Sequence, residues 1–297
     1  MPVSTCSFFR SRAVMLTICL LALPALAQAQ SHAQASCTFK LFQLNPPGKN
    51  LSPNGVNDYS TVVGQAGVDQ GFTRFAGGGI NYYSVPNSAS TYFTARNDSG
   101  INVGVYSTQS ASTVAKGFML QGSTFTSIVH PKAVVGTTLS GINKYNSIVG
   151  WYEDAGVGQH GFKRYSNGSF VTLNYPGSQY TLPTGINDSG TVAGWFSDST
   201  GEHGFIYHNG QWAPLDFGAN TTQVFGISNA NKIVGVSTSN EPPTSFIYEN
   251  SAFKVISYPG AFSTQVAGIS ANGTITGTII LNNSDPTSGR GFTATCN

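Results

Sequence analysis

The chain has 297 residues, of which only 9% are charged, and its formal net charge is +2. This composition excludes a basic patch for nucleic acid and argues against charge-steered binding to any polyelectrolyte. A surface that owes its solubility to Ser, Thr, Asn and Gln is typical of an exported all-β protein.

Residues 1–27 have the features of a secretory signal peptide. Arg10 and Arg12 form a basic start, an apolar stretch follows at 13–26, and small residues precede Gln28. The stretch is too short for a usual membrane span. A retained amino-terminal anchor is the alternative, and the cysteines near this segment fit a lipoprotein signal poorly.

Three expectations follow for the mature chain. We expect a short disordered linker at 28–36, a single domain at 37–297 and no membrane span. Loss of Arg10 and Arg12 lowers the formal charge from +2 to zero. The destination is predicted to be extracellular, with the periplasm or the cell surface as alternatives.

A short sequence motif then recurs six times. It consists of a Gly-Ile-Asn-like segment whose last residue is followed, seven residues later, by a glycine. The first positions are Asn57, Asn97, Asn143, Asn187, Ser228 and Ser270. The partner glycines are Gly64, Gly104, Gly150, Gly194, Gly235 and Gly277. A period of 40 to 46 residues is that of a propeller blade.

The fourth repeat shows most clearly how one unit folds. Apolar alternation predicts strands at 180–186, 191–196, 204–207 and 211–217, joined by Asn-Asp-Ser-Gly and Asn-Gly turns. Four short antiparallel strands cannot bury both faces of a sheet alone, whereas stacking such sheets around an axis can. We therefore predict an all-β, six-bladed β-propeller of four-stranded antiparallel blades, with the recurring Gly-Phe steps in the core. Each second-strand glycine is expected to let an aromatic residue of the neighbouring sheet approach.

The last repeat stops before its fourth strand, and residues 38–44 have the pattern of the missing strand. An amino-terminal strand is therefore expected to complete the last blade and close the ring. Cys37 and Cys296 would then be neighbours and form a disulfide, worth roughly 5 kcal/mol in the chain-entropy model. A parallel β-solenoid is the alternative, but it gives no reason for this completion.

The repeat residues resemble those of the bacterial extracellular HAF-repeat family. The matching segments are Gly-Ile-Asn-Asp-Ser-Gly at 185–190, Val-Ala-Gly-Trp-Phe at 192–196, and His-Gly-Phe at 160–162 and 203–205. The resemblance covers nearly all of 38–296 and implies an exported, propeller-like protein. It implies no catalytic residue, substrate or cofactor.

The search for catalytic or metal-binding motifs finds little. His160 and His203 share one repeat position that the other four units do not match, so a metal ring is not expected. Asp154 near His160, and Glu202 beside His203, could each make an acid–base pair within one loop. The repeated Asn-Asp turns lack the ligand run of a calcium loop, and we expect no metal and no cofactor.

The loops between second and third strands vary most in length. From the glycine of the second strand to the residue that opens the third strand, the six intervals are 7, 13, 11, 10, 10 and 14 residues. Variable loops on a constant frame often carry a binding site, although unconstrained drift is an equal alternative. The candidate binding face comprises Tyr92, Asp154, His160, Tyr180, Asp198, His203, Phe262 and Arg290. Trp151 and Trp195 could be sugar platforms, but packing between blades is the favoured interpretation.

These observations favour a secreted, monomeric binding module, not an enzyme, for a neutral ligand such as a glycan, a cell-surface component or a protein. The first alternative is an extracellular polysaccharide hydrolase or lyase with a carboxylate site on the loops, for instance Asp154, Asp198, Glu202 and Asp285. The second alternative is a structural envelope or matrix protein without a site.

Overall fold

The computed structural model describes residues 32–46, 49–108, 114–156, 158–218, 221–239, 241–285 and 288–297. The predicted signal peptide at 1–27 lies outside these residues. The described part of the chain consists of 25 strands joined by turns and loops, and it contains no α-helix. None of its segments therefore forms a helix of the length and hydropathy that would span a membrane. The expectation of an all-β fold is confirmed.

The strands follow one another in hairpin-connected runs. The first two are β1 (Ala33–Gln34) and β2 (Cys37–Gln43). Unit 1 contains β3 (Leu51–Val56), β4 (Val62–Ala66), β5 (Gln70–Arg74) and β6 (Ile80–Tyr83). Unit 2 contains β7 (Ser90–Arg96), β8 (Asn102–Ser107), β9 (Lys116–Gln121) and β10 (Thr124–Ile128). Unit 3 contains β11 (Gly136–Ile142), β12 (Ile148–Glu153), β13 (Gln159–Arg164) and β14 (Phe170–Leu173).

The second half of the chain repeats this layout. Unit 4 contains β15 (Tyr180–Ile186), β16 (Val192–Ser197), β17 (Glu202–His208) and β18 (Gln211–Leu215). Unit 5 contains β19 (Thr222–Ile227), β20 (Ile233–Ser237), β21 (Thr244–Glu249) and β22 (Ala252–Val255). Unit 6 contains β23 (Ser263–Ile269), β24 (Ile275–Ile280) and β25 (Gly289–Cys296), and β2 pairs with its last strand. The strands predicted for the fourth repeat agree with unit 4 within two residues.

Hydrogen bonding groups these strands into five sheets, whereas the sequence predicts six separate four-stranded sheets. Three sheets have four strands, one has five and one has eight. The eight-stranded sheet joins units 3 and 4 through one parallel pair, Gln159 with Tyr180. The five-stranded sheet arises because β1 adds to β22 of unit 5. Residue periodicity cannot reveal either extra pairing, since both are made outside the repeat.

In each unit the turn between the first two strands is held by a side-chain oxygen that accepts a backbone hydrogen bond, from an asparagine in units 1 to 4 and from a serine in units 5 and 6. In unit 4, Asn187 Oδ1 accepts hydrogen bonds from the backbone N–H of Thr191 at 3.0 Å and from Ser189 Oγ at 2.7 Å. Gly190 completes the turn with a φ of 83°, which a glycine adopts without strain. The short, constant turn therefore follows from the Asn-Asp-Ser-Gly sequence itself.

The core lies between neighbouring units and is filled by the phenylalanines of the Gly-Phe steps, as predicted. Their side chains are fully buried in all units, at Phe72, Phe118, Phe162, Phe205, Phe246 and Phe292. The role predicted for the second-strand glycines is wrong in one respect. A Cβ on Gly194 would lie 2.8 Å from Phe205 of the same sheet. Contact with the next unit is instead made through the third-strand glycine, since a Cβ on Gly71 would lie 3.0 Å from Phe93 of unit 2.

The ends of the domain meet as the sequence predicts. Strand β2 pairs antiparallel with β25 along its whole length, and Cys37 lies opposite Cys296. The two cysteines form a disulfide across a sequence separation of 259 residues. The expected disulfide is confirmed, and β2 supplies the outer strand of the last unit.

The predicted disordered linker at 28–36 is wrong for residues 32–36, which are ordered against unit 5. Ala33 and Gln34 pair with Lys254 and Val255, and Ala35 is buried. His32 places its ring 4.2 Å from that of Phe217. A polar composition predicts disorder only when no sheet edge is available, and here β22 offers one.

Candidate functional site

The centre of the molecule is lined by six side chains that sit at the same position of the repeat. Each first strand carries a β-bulge against its second strand. The bulged residues are Asn54, Thr94, Ser140, Thr184, Phe225 and Ala267. A bulge turns one side chain away from the regular alternation, and these six side chains all border one central cavity.

Four of the bulged residues connect each unit to the next. Thr94 Oγ1 donates to the carbonyl oxygen of Leu139 at 2.7 Å, and Thr184 Oγ1 donates to that of Val224 at 2.8 Å. Asn54 and Ser140 make the equivalent bonds to units 2 and 4. The series ends at Phe225 and Ala267, whose side chains have no polar group. The centre is therefore polar on one side and apolar on the other.

The central cavity, which we call the funnel, has a volume of about 780 Å³. Its wall includes the indoles of Trp151 and Trp195, apolar side chains, and the hydroxyl and amide groups of the bulged residues. No charged residue contributes to its wall among the described parts of the chain. Such a surface fits a neutral ligand with ring or apolar groups.

The sequence favours packing between blades for Trp151 and Trp195, and this interpretation is incomplete. Both indoles are half-buried and form part of the funnel wall. They occupy equivalent positions on β12 and β16, in neighbouring units. The repeat position alone could not distinguish an indole packed between sheets from one that faces the centre.

The end of the central cavity opposite the opening of the funnel is narrow. We call the surface carrying the asparagine turns the turn face, and the surface carrying the loops between second and third strands the loop face. A second cavity, of only about 80 Å³, lies at the turn face and shares the bulged residues Asn54, Thr94, Ser140, Thr184 and Phe225 with the funnel. Asn143 Nδ2 donates to the carbonyl oxygen of Asn187 at 3.0 Å, and Asn97 and Asn187 bond to their following units in the same way. This end is a hydrogen-bonded closure rather than an opening.

Three carboxylates surround the narrow end, at Asp58, Asp98 and Asp188. Burial raises the pKa of Asp98, and the neighbouring Asp58 and Asp188 add to that effect. Asp98 nevertheless accepts a hydrogen bond from the backbone N–H of Asp58 at 2.9 Å. These groups hold adjacent turns together, and no group of three or more His, Cys, Asp or Glu suited to a metal ion occurs in the described residues.

The loop face of unit 3 carries a His–Asp pair. His160 Nε2 lies 2.9 Å from Asp154 Oδ2, and His160 Nδ1 lies 3.1 Å from Asn174 Nδ2. The hydrogen bond from His160, followed by those from the N–H groups of Gly158 and Gly156, lowers the pKa of Asp154. The two residues are therefore brought together as the sequence suggested.

Unit 4 has a more elaborate arrangement around His203. Its Nδ1 lies 3.2 Å from Asp216 Oδ1, and its Nε2 lies 2.9 Å from Thr200 Oγ1 and 3.6 Å from Asp198 Oδ1. Hydrogen bonds from the side chain and backbone of Thr200 lower the pKa of Asp198. The His203 side chain is 18% exposed and therefore in contact with solvent.

The suggested pairing of Glu202 with His203 is wrong. Successive residues of β17 point to opposite sides of the sheet, and Glu202 accepts a hydrogen bond from Gln223 Nε2 at 2.8 Å instead. The carboxylate that does reach Nδ1 of His203 is Asp216, which the sequence analysis missed. Asp216 and Asn174 follow the last leucine of their units at equivalent positions, so an alignment of the repeats contained the signal.

Trp151 of the funnel and His203 border the same gap between units 3 and 4. Trp151 lies two residues after Val149 on β12, and therefore on the same side of the sheet. Val149 packs in one core cluster with Phe205, which lies two residues after His203 on β17. The gap next to His160 has Val105 at the position of Trp151. Only the His203 group therefore shares a gap with an indole of the funnel.

The other candidate residues of the binding face do not converge. Tyr180 and Phe262 are exposed, by 37% and 46%. Tyr92 is half-buried on β7, and burial raises its pKa. Arg290 donates to the carbonyl oxygen of Gly289 at 2.8 Å. None of the eight residues predicted for the binding face belongs to the wall of the funnel.

No protein-family model matches the chain, and no curated protein matches it either. The resemblance to the HAF-repeat family therefore stays a prediction. The chain is similar in structure to the virginiamycin B lyase from Staphylococcus aureus, at 11% identity and a TM-score of 0.53, covering 88% of this chain and 99% of that one. It is also similar to a streptogramin B lyase, at 13% identity and a TM-score of 0.50, covering 88% and 98%.

A luciferin-regenerating enzyme is similar as well, at 10% identity and a TM-score of 0.51, covering 87% of this chain and 95% of that one. At such identities these likenesses show the fold, which is an all-β propeller. The sequence-based expectation that the chain is not an enzyme is contradicted, because these propellers, matched over almost their whole length, are enzymes. The expectation relied on the absence of contiguous motifs, whereas a propeller assembles its sites from separate loops.

Proposed function

We propose that this chain is an exported hydrolase or lyase that acts on a neutral extracellular compound reaching from the funnel along the loop face to His203, its acid–base residue. The observation that carries the proposal is the order of groups around His203. A carboxylate lies 3.2 Å from Nδ1 and a hydroxyl 2.9 Å from Nε2, in the gap that Trp151 also borders. The alternative function expected from the sequence thus replaces the non-catalytic one.

The imidazole is suited to proton transfer near neutral pH. Asp216 accepts from Nδ1–H, which leaves Nε2 as the basic nitrogen and stabilises the cation that forms when Nε2 takes a proton. In a hydrolysis that proton comes from water or a hydroxyl, and in an elimination it comes from a carbon next to the bond that breaks. The same Nε2–H then protonates the leaving oxygen, so the ring returns to its starting state.

Thr200 gives the site a second possible component. Its hydroxyl is the group nearest to Nε2, at 2.9 Å. A hydroxyl, an imidazole and a carboxylate in this order can activate the hydroxyl as a nucleophile. The hydroxyl has a single proton, which it donates to Asp198 at 2.6 Å, so it must turn towards Nε2 before the imidazole can take that proton. Thr200→Val distinguishes a nucleophilic hydroxyl, whose loss abolishes turnover, from a positioning one.

The funnel supports a neutral substrate class. Two indoles on neighbouring units offer flat stacking surfaces, and the bulged Thr94, Ser140 and Thr184 offer oxygen atoms for hydrogen bonds. A glycan combines flat apolar faces with hydroxyl groups and is the first compound class to test. The names of the similar lyases add a streptogramin B to the panel.

The experiment is a turnover screen by mass spectrometry with the purified mature chain. Neutral oligosaccharides and a streptogramin B are incubated with wild type and with His203→Ala. We expect wild type to consume at least one compound and His203→Ala to be slower by a factor of at least about 10². Gain of one water identifies hydrolysis, and cleavage without gain of mass identifies elimination. Equal rates for the two proteins would refute the role of His203.

A second candidate function is the binding of a neutral ligand in the funnel. The uncharged wall of the funnel favours it. If Trp151→Ala and Trp195→Ala remove binding of an oligosaccharide that the wild-type chain never cleaves, this candidate is preferred. A glycan array on the purified chain provides the ligands for that comparison.

The same proposal includes the finer architecture. The six four-stranded units count as six blades, closed by β2 in the last one, and units 3 and 4 are two blades that share one extra strand contact. Export is supported by the disulfide, since such bonds persist in oxidising compartments. Gel filtration with light scattering tests the predicted monomer, and sequencing of the mature amino terminus tests cleavage near residue 27.

A further inference from the structure

A small cavity of about 120 Å³ lies at the turn face between the last unit and unit 1. The opening of the funnel is at the other face, the loop face. Its wall is formed by Lys40, Leu41, Phe42, Ser60, Arg74, Ala76 and Thr293. We call it the seam pocket, because Lys40 belongs to β2 and Arg74 to β5, on the two sides of the ring closure. It contains two cations and no carboxylate.

Arg74 is held in place by an aromatic ring rather than by an acid. Its guanidinium carbon lies 4.3 Å above the centre of the Phe42 ring, a favourable cation–π arrangement. Its one hydrogen bond in the described structure goes from Nη1 to the carbonyl oxygen of Phe75, at 3.4 Å. Burial lowers the pKa of Arg74, as expected for a cation without a neighbouring carboxylate. Most donors of the guanidinium therefore stay available.

Thr293 supplies the third component of the pocket. It is 8% exposed, and it lines the pocket. It lies directly opposite Lys40 in the β2–β25 pair, so both side chains project from the same face of the sheet. Ser60, on the turn of unit 1, contributes a second hydroxyl. A hydroxyl that lines a cavity beside two cations can donate to an anion bound there.

We propose that the seam pocket binds a small tetrahedral oxyanion, sulfate or phosphate, either free or as the terminal group of a larger molecule. Arginine and lysine are the residues that proteins use for such anions, and hydroxyls complete the donor set. A cavity of about 120 Å³ has room for several heavy atoms. The bound anion would bridge β2 and β5 and so fasten the closure of the ring.

The chain offers a matched control at Arg164. Arg164 occupies in unit 3 the position of Arg74 in unit 1, and it likewise donates to a following carbonyl oxygen, that of Tyr165. In the preceding unit, Thr126 and Met119 occupy the positions of Lys40 and Thr293. The Arg164 position therefore has one cation, no lysine and no hydroxyl at the position of Thr293.

The test is isothermal titration at constant ionic strength with inorganic sulfate, inorganic phosphate and a monosulfated sugar. We expect saturable binding to the wild-type chain and to Arg164→Ala, and at least a tenfold loss of affinity for Arg74→Ala and Lys40→Met. Tighter binding of the monosulfated sugar than of sulfate would assign the anion to a larger molecule. The melting temperature of wild type should rise with the anion, because binding stabilises the folded state.

Thr293→Val keeps both cations and nearly the same side-chain volume, so it tests the site even if Arg74→Ala does not fold. We expect a several-fold weaker affinity with an unchanged near-ultraviolet circular dichroism spectrum. Absence of saturable binding to the wild-type chain, or equal affinities for Arg74→Ala and Arg164→Ala, would overturn the proposal.

Discussion

The two faces of this propeller are built under different constraints. At the turn face the interval from the turn residue to the following glycine is seven in every unit, and buried asparagine amides connect consecutive turns. At the loop face the loops between second and third strands differ in length, and the His203 group and the opening of the funnel lie there. One face maintains the ring, and the other has room to vary.

The difference shows why repeats that look alike have unequal chemistry. Every turn must satisfy the same backbone groups, so its residues change little from unit to unit. A loop need only return the chain to the next strand. His160 and His203 illustrate this freedom, because Nδ1 of the histidine faces an amide at Asn174 in one unit and a carboxylate at Asp216 in the next.

The largest effect is expected from breaking the closure of the ring, whose disulfide lies at the turn-face end of β25. Replacing Cys37 and Cys296 by alanine should lower the free energy of unfolding by about 5 kcal/mol, because a very long loop is no longer closed in the unfolded chain. Urea denaturation of the double variant and of the reduced wild type measures this. A loss below about 1 kcal/mol would mean that strand pairing alone closes the ring.

The next effect concerns His130, a buried loop-face residue whose ring stacks on that of Tyr152 at 3.8 Å. Burial, followed by the charges of Lys132 and His160, lowers its pKa to about 4 from an ordinary value of 6.5. Since the unfolded state binds the proton more readily between these values, stability falls as the pH drops from 6.5 towards 4. The loss should reach at most about 3 kcal/mol.

His130→Tyr should remove this pH dependence, because Tyr175 stacks on Phe196 at 3.7 Å in the equivalent place of unit 4. Urea denaturation at pH 7.5 and pH 4.5 provides the comparison. An unchanged difference between the two pH values in the variant would show that other groups cause the acid loss.

A smaller loss is expected at the asparagine turns. Asn187→Ala leaves the buried N–H of Thr191 and the carbonyl oxygen of Ser228 without their partners, at a cost of about 2 kcal/mol. Asn167→Ala is the control, since Asn167 makes a similar turn on the exposed surface and should change stability by less than about 0.5 kcal/mol. Equal losses would remove the distinction between the buried ring of turns and an ordinary hairpin.

The smallest effect is expected for Phe262→Ser on the loop face. Because Phe262 is 46% exposed, the free energy of unfolding should change by no more than about 0.5 kcal/mol. Thermal unfolding measures it. A large loss would show that the loop face also contributes to stability, and a loss of ligand affinity alone would place Phe262 in the binding surface.

The sequence predicted most of the fold because the fold is made of local rules. Glycine and asparagine turns, apolar alternation and the unpaired strand at 38–44 indicated the units, and the two cysteines indicated the closure. The added strand at Ala33–Gln34 and the contact between Gln159 and Tyr180 were not predictable. Both use edges that exist only after the units have formed.

The site was less predictable for a related reason. The side chains that surround His203 come from two loops of one unit, and Trp151 reaches the same gap from the preceding unit. The β-bulges that place Thr94 and Ser140 at the centre are irregularities of strand pairing. The residue pattern did not predict them. Comparing the repeats position by position would have found Asp216, but not its distance from His203.

The most direct test of the account is the ratio of turnover rates for His203→Ala and His160→Ala on a compound that the wild-type chain consumes. The two residues occupy the same repeat position, so their removal perturbs the structure alike. The account predicts a loss of at least about 10² for His203→Ala and a rate within twofold of wild type for His160→Ala. Equal rates for the two variants, or no turnover by wild type on any compound tested, would contradict it.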